Sequence, residues 1–265
     1  MVTAARLRAD IETLKAERPG AAMSFDPIEL AHAAGIESLD SWQEEVLRSE
    51  AMRVLFNVAR QGGKSTISGI LATHKALTVP GSLTLILAPS ERQAKETFAK
   101  AARSYTATGQ KVRADSYRKL GMELINGSRI EALPGTEKTI RGFSAPDLVI
   151  VEEAARVDDG LYYAVRPMLA VSGGRLIMLS TPAGKRGAFY HEWTEGHRWE
   201  RYEVPATEIP RITPEFLEEE REVLPSWVYR QEYECSFEET EDQVFSAEMV
   251  ERAVTPEVAP LFGSV

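Results

Sequence analysis

Val58-Ala59-Arg60-Gln61-Gly62-Gly63-Lys64-Ser65-Thr66 joins an apolar run, Arg53–Val58, to a stretch with helical spacing, Lys64–Thr78. A glycine-rich turn between a strand and a helix is the setting that a phosphate-cradling loop requires. Gly62 and Gly63 let the backbone curl so that its N–H groups face a phosphate. Lys64 offers a point charge to β- and γ-phosphates and Ser65 a hydroxyl to magnesium. The helix opening at Lys64 adds its positive end. Gln61 and Thr66 complete the cradle. Val58 stands where such loops ordinarily carry their first glycine, and Arg60 adds a cation inside the loop, so this is a variant form. A plain glycine turn with a chance lysine would not account for the agreement of motif and flanks.

A phosphate loop of this kind needs a carboxylate for the metal and a base to orient water. Leu148-Val149-Ile150-Val151-Glu152-Glu153 offers both. Its apolar residues predict a buried strand, and its carboxylates fall at the carboxyl end, where open α/β sheets bind ligands. Glu152 takes the metal-side position and Glu153 the water-activating one. Another apolar run, Leu83–Ala88, lies between the loop and this acidic strand. Ser180 and Thr181, in Leu179-Ser180-Thr181-Pro182, suit either sensing of the γ-phosphate or simple capping of a strand end. Gln43, one element upstream of the loop strand, has the amide needed for paired hydrogen bonds to adenine N6 and N7.

Length and composition set the frame. The chain has 265 residues, 43% of them apolar and 27% charged, which suits one large domain with a sizeable core. Cys235 is the single cysteine, so a disulfide framework and a multi-cysteine zinc site are excluded. His32, His74, His191 and His197 show no ligand spacing. The longest apolar runs fall far short of the roughly 20 residues that span a bilayer, and no secretory signal is visible. A soluble protein of a reducing compartment is expected.

Strand-like runs at Arg53–Val58, Leu83–Ala88, Leu148–Val151, Arg175–Leu179 and, more weakly, Arg201–Val204 alternate with helical stretches at Lys64–Thr78, Glu91–Thr106 and Asp159–Met168. That alternation predicts a three-layer α/β domain with a mostly parallel central sheet. Met122–Ile125 and Arg129–Leu133, around Asn126-Gly127, predict an antiparallel pair. Short helices are expected at Glu44–Ser49 and around Ile28–Ala34, and closing helices at Pro214–Glu222 and Ser226–Glu234. Leu7, Ile11 and Leu14 add helical spacing near the start. The expected organisation is a helical lead-in over 1–38, a nucleotide-binding domain over 39–245 and a linker or tail over 246–265.

Taken in order, these motifs resemble the ATPase domain of the large terminase subunit of tailed bacteriophages. The resemblance rests on Trp42-Gln43, Ala59–Ser65, Ala88-Pro89-Ser90, Ile140-Arg141-Gly142, Val151–Ala155, Leu179–Gly184 and Arg230-Gln231-Glu232-Tyr233, and covers roughly residues 40–245. It implies the RecA-like division of P-loop NTPases, marked by the inserted strand and the second glutamate. It also implies ATP and Mg2+ as cofactors and a motor that drives double-stranded DNA into a procapsid. Trp42 and Gln43 would hold adenine, and Arg141 would act in trans on a neighbour's nucleotide, with Arg60 as its cis-acting competitor. The implied partners are DNA, further copies in a ring, a pentamer on the portal, and the small terminase subunit, in the host cytoplasm during assembly. A helicase-like or other DNA-translocating P-loop ATPase is the alternative. Glu152 departs from the commoner aspartate. The family ordinarily carries a C-terminal nuclease domain. The chain stops at Val265, about where that domain would begin, so no nuclease activity is expected from it and a piece cut from a longer protein is expected.

The net charge of −9 argues against a dedicated, static nucleic-acid binder. The bases are concentrated, however. Lys95, Lys100, Arg103, Lys111, Arg113, Arg118 and Lys119 cluster, and Arg129, Lys138 and Arg141 follow. Sequence-blind phosphate contact by such residues is what a translocase needs. Arg103, Arg118, Lys119, Arg129 and Lys138 are the candidate DNA contacts, against the alternative of a solvated charged face. Lys185 and Arg186 form another candidate pair.

Overall fold

The computed structural model describes residues 26–109 and 120–239. Its strands are β1 (Arg53–Val58), β2 (Leu83–Ala88), β3 (Gly121–Glu123), β4 (Arg129–Pro134), β5 (Leu148–Glu152), β6 (Arg175–Ser180) and β7 (Glu200–Val204). Its helices are α1 (Pro27–Ala33), α2 (Ser41–Arg48), α3 (Lys64–Thr78), α4 (Glu91–Ala107), α5 (Glu137–Ile140), α6 (Asp159–Ser172), α7 (Gly187–Thr194), α8 (Pro214–Val223) and α9 (Ser226–Tyr233). The strands join one sheet in the order β3-β4-β2-β5-β6-β1-β7, parallel throughout except for β3 against β4.

β2 and β5 are buried along their whole length, and β1 and β6 after their first residue. Helices cover both faces of the parallel sheet, so these strands need no polar alternation. Successive side chains still point to opposite faces. Val54, Phe56 and Val58 enter a core with Ile67 and Ile70 of α3 and Phe98 of α4. Leu55 joins Leu85, Val149 and Met178 in a second core under α6, with Phe189 of α7.

The sheet order places the chemistry. β6 lies between loop strand β1 and acidic strand β5, and its register pairs Asn57 with Ser180 and Glu152 with Leu179. The carboxyl ends of the three strands therefore meet at one edge, with Ser180 central. The anticipated three-layer, mostly parallel fold is the observed one, and the antiparallel pair is present, turning at Gly127 with φ 80°.

Several boundaries differ. α2 begins at Ser41 rather than Glu44, so Trp42 and Gln43 lie inside a helix rather than ahead of it. α6 runs on past Met168 to Ser172, where Gly173 at φ 63° returns its N–H to the Leu169 carbonyl and stops it. In α1, Ile28, Leu30 and Ala31 are buried in the main core, so the described part of the lead-in is built into the domain. The predicted helix around Leu7–Leu14 and the tail over 246–265 lie outside the described residues. Among the described residues no helix is long and apolar enough to cross a membrane.

Candidate active site

Glycine geometry shapes the loop after β1. Gln61 and Gly63 have φ of 61° and 90°. A Cβ on Gly63 would lie 2.8 Å from Gln43 Nε2, so only glycine admits both that backbone and that neighbour. α3 starts at the next residue, with its N-terminus open to the cleft.

Lys64 is buried, and its ammonium donates to the carbonyls of Val58 (2.8 Å) and Ala59 (3.2 Å). Burial holds its pKa below the ordinary lysine value, opposed by Glu153 and Glu152. Ser65 Oγ donates to Glu152 Oε2 at 3.0 Å, joining the loop to the acidic strand. Glu152 is buried, and burial raises its carboxyl pKa against the Ser68 and Ser65 hydroxyls. Its Oε1 is fully buried and has no hydrogen-bond partner among the described residues.

Glu153 follows with φ 49° and ψ 45°, a left-handed conformation unfavourable for a residue with a Cβ. That turn swings its carboxylate into the cleft. Arg156 holds it there, donating to Glu153 Oε2 at 2.9 Å and to Thr181 Oγ1 at 2.9 Å. Ser180 Oγ also reaches Glu153 Oε2, at 3.4 Å. Both predicted sensor hydroxyls therefore touch the acidic pair or its holder. Arg156 extends to Glu232 on α9 at 3.5 Å, and Glu232 forms an ion pair with Arg60 at 2.7 Å. A chain of alternating charge thus runs from Glu153 through Arg156 and Glu232 to the phosphate loop.

The cleft bounded by these groups has a volume of about 430 Å³. Residues Arg60 to Thr66 form its floor, Glu153, Arg156 and Thr181 one wall, and Gln93, Glu96 and Lys100 of α4 the other. Lys100, grouped by sequence with the basic stretch, thus faces this cleft.

Other candidates fall elsewhere. Trp42 is a core side chain in edge contact with Phe56 at 6.4 Å, and it does not line the cleft. Its neighbour Gln43 is also buried and not among the residues lining the cleft, but it reaches the loop, donating from Nε2 to the Gly62 carbonyl at 3.2 Å. Arg141 is exposed at the end of α5 and is not among the residues lining the cleft. Arg103, Arg129 and Lys138 are exposed. Arg129 starts β4 at the sheet's amino edge, and Lys138 follows the carboxyl end of that strand. About 17 Å of strand separates the two edges. Arg118 and Lys119 lie outside the described residues. Sequence reading missed Arg156, Glu232, Asp40 and Arg211. Glu232 lay in a motif that carried the resemblance, but only folding brings it to Arg60.

A phosphate loop, an acidic strand set apart from it by an inserted strand, and a second glutamate at that strand's end define a P-loop NTPase fold. Residues 55–252 match the family model for the terminase large subunit, T4likevirus-type, N-terminal. The chain is 27% identical over 241 residues to the terminase large subunit of Thermus virus P23-45, covering 77% of this chain and 50% of that relative. The large terminase ATPase domain of Thermus phage P74-26 has the same fold, with a TM-score of 0.70 at 22% identity over 79% of this chain and 98% of that one. So does the large terminase of a thermophilic bacteriophage in complex with ATP-gamma-S, with a TM-score of 0.63 at 12% identity over 76% and 53%. The chain belongs to the terminase large subunit family, and it spans about half the length of the curated relative just described.

Proposed function

We propose that this chain is the ATP-hydrolysing motor domain of a DNA-packaging terminase. The observation that carries the proposal is one cleft that gathers the phosphate loop, the Ser65–Glu152 hydrogen bond and the Arg156-held Glu153. Lys64 and the loop N–H groups bind the β- and γ-phosphates. Gln43 reads the adenine edge. Glu153 orients the attacking water and receives its proton.

Magnesium fits the residues present. Glu152 keeps a buried oxygen with no hydrogen-bond partner among the described residues, beside the Ser65 hydroxyl. A divalent cation held by these two groups would neutralise phosphate charge. Ser180 and Thr181 pass the state of the γ-phosphate to β6 and its following loop, a reading supported by their contacts with Glu153 and Arg156.

Arg141 is the candidate for a trans-acting arginine, and its exposed position outside the cleft supports that reading. Arg60 remains the cis alternative, tied here to Glu232. The partners proposed are duplex DNA, further copies in a pentameric ring on a portal, and a small terminase subunit, in the host cytoplasm. Arg103, Arg129, Lys138, Arg118 and Lys119 remain candidate phosphate contacts.

The test is ATP turnover by the purified chain and its Glu153→Gln variant, with nucleotide binding measured alongside. The expected result is retained ATP binding with turnover reduced at least about 100-fold, the usual scale for losing a positioned base. Undiminished turnover in the variant would overturn the assignment. Strand separation on a forked duplex would instead favour the helicase-like alternative.

A further inference from the structure

Asp40 and Arg211 form a pair that the proposed chemistry does not use. Arg211 Nη1 donates to Asp40 Oδ1 and Nη2 to Asp40 Oδ2, both at 2.8 Å. This bidentate fork is the strongest geometry available to an ion pair. The same Nη2 lies 3.4 Å from the Gly62 carbonyl oxygen. Asp40 is buried, and Arg211 follows the buried Ile209 that anchors its segment in the core.

The pair surrounds Gln43. The Asp40 backbone N–H donates to Gln43 Oε1 at 3.1 Å, while Gln43 Nε2 donates to the Gly62 carbonyl at 3.2 Å. These two bonds set which way the amide points. Reversed, the amide would aim N–H at N–H and oxygen at oxygen. In the observed orientation each end has spent one bond, leaving one lone pair on Oε1 and one hydrogen on Nε2. That remaining pair complements adenine, which presents an N6 donor beside an N7 acceptor. It mismatches guanine, which presents two acceptors, O6 and N7.

We propose that Asp40–Arg211 is a positioning pair that confers adenine selectivity by locking the orientation of the Gln43 amide against the phosphate loop. Arg211 holds Asp40, Asp40 orients Oε1, and Arg211 and Gln43 converge on the Gly62 carbonyl. The lock meets the loop through the Gly62 carbonyl, an acceptor that no phosphate uses, so base choice and phosphate affinity can be measured apart. The inference rests on the proposed nucleotide site.

The experiment is direct binding of fluorescent ATP and GTP analogues labelled on the ribose, in the wild-type chain, Arg211→Ala, Arg211→Lys, Asp40→Asn and the Arg211→Ala/Asp40→Asn double variant. The wild type is expected to prefer the ATP analogue. Arg211→Ala and Asp40→Asn should each cut that preference about tenfold, chiefly by weakening ATP, and the double variant should lose no more than either single change. Arg211→Lys keeps the charge without the fork and should not restore selectivity. Equal weakening of both nucleotides would reduce the pair to a scaffold for the loop and overturn the proposal. Loss of selectivity that simply adds in the double variant would overturn it too. A wild type that binds neither nucleotide would instead overturn the nucleotide site itself. Thermal unfolding of each variant separates these outcomes from failure to fold.

Discussion

Gly69→Ala should destabilise the protein although it places a better helix former in the middle of a helix. Gly69 sits where α3 crosses α4. An added Cβ there would lie 2.9 Å from the Ala101 nitrogen and 3.0 Å from the Lys100 carbonyl carbon. Both are backbone atoms, so no side-chain rotation relieves the contact, and α4 must move away by a few tenths of an ångström. Overpacking of this kind costs about 1–3 kcal/mol. The helix propensity gained over glycine returns about 1 kcal/mol. The net expectation is a loss of about 1 kcal/mol, or a melting temperature lower by roughly 2–4 °C. α4 also carries Gln93, Glu96 and Lys100 into the cleft, so the shift widens it and weakens ATP binding by a few fold. Thermal and urea unfolding measure the first effect and nucleotide titration the second. An unchanged or raised melting temperature would refute the close approach of the two helices.

Lys64→Ala should abolish measurable ATP binding while changing stability by no more than about 1 kcal/mol, because the two carbonyl hydrogen bonds it loses are offset by no longer burying an ammonium. Isothermal titration and urea unfolding of the same sample check both halves. Arg141→Ala should leave ATP binding by the isolated chain intact and reduce turnover of the assembled motor by about 10³-fold or more, the scale of a lost arginine finger. Equal turnover in the assembled variant and wild type would refute the trans role. Cys235 supplies a pH test. Its thiol is pushed from 9.0 up to about 12, chiefly by burial. The native state therefore holds this proton more tightly than the unfolded chain. That contribution is complete below about pH 9 and is lost towards pH 12, by at most about 1.4 kcal/mol per pH unit. The urea midpoint should fall more steeply over this range in wild type than in Cys235→Ala, and parallel curves would refute the linkage.

Local signals were sufficient for most of the elements, though not for α5 or α7, and for part of the candidate site. The helix from Lys64 to Thr78 was bounded by its own glycines and apolar spacing, and the buried strands by unbroken apolar runs that only a doubly covered sheet tolerates. The places of Lys64, Ser65, Glu152 and Glu153 are legible because they are set by a strand end or a helix start. Trp42 was misplaced because adjacency to Gln43 in sequence says nothing about direction. On a helix, consecutive residues point about 100° apart, so one enters the core and the other meets the loop. Spacing along the chain likewise leaves open where the described bases of the basic stretch point. Lys100 turns into the cleft, and Arg129 and Lys138 stand at opposite edges of the sheet.

Sequence alone was enough for the α/β class, for a glycine-rich loop between a strand and a helix, for a carboxylate pair at a strand end and for the terminase family. Each of these is a property of residues close together along the chain. The order of strands, which sets β6 between β1 and β5, came only with the folded chain. So did the charge chain Glu153–Arg156–Glu232–Arg60 and the Asp40–Arg211 fork beside Gln43. An ion pair has short range and no memory of chain separation, so its partners are set by which loops the sheet brings to its carboxyl edge.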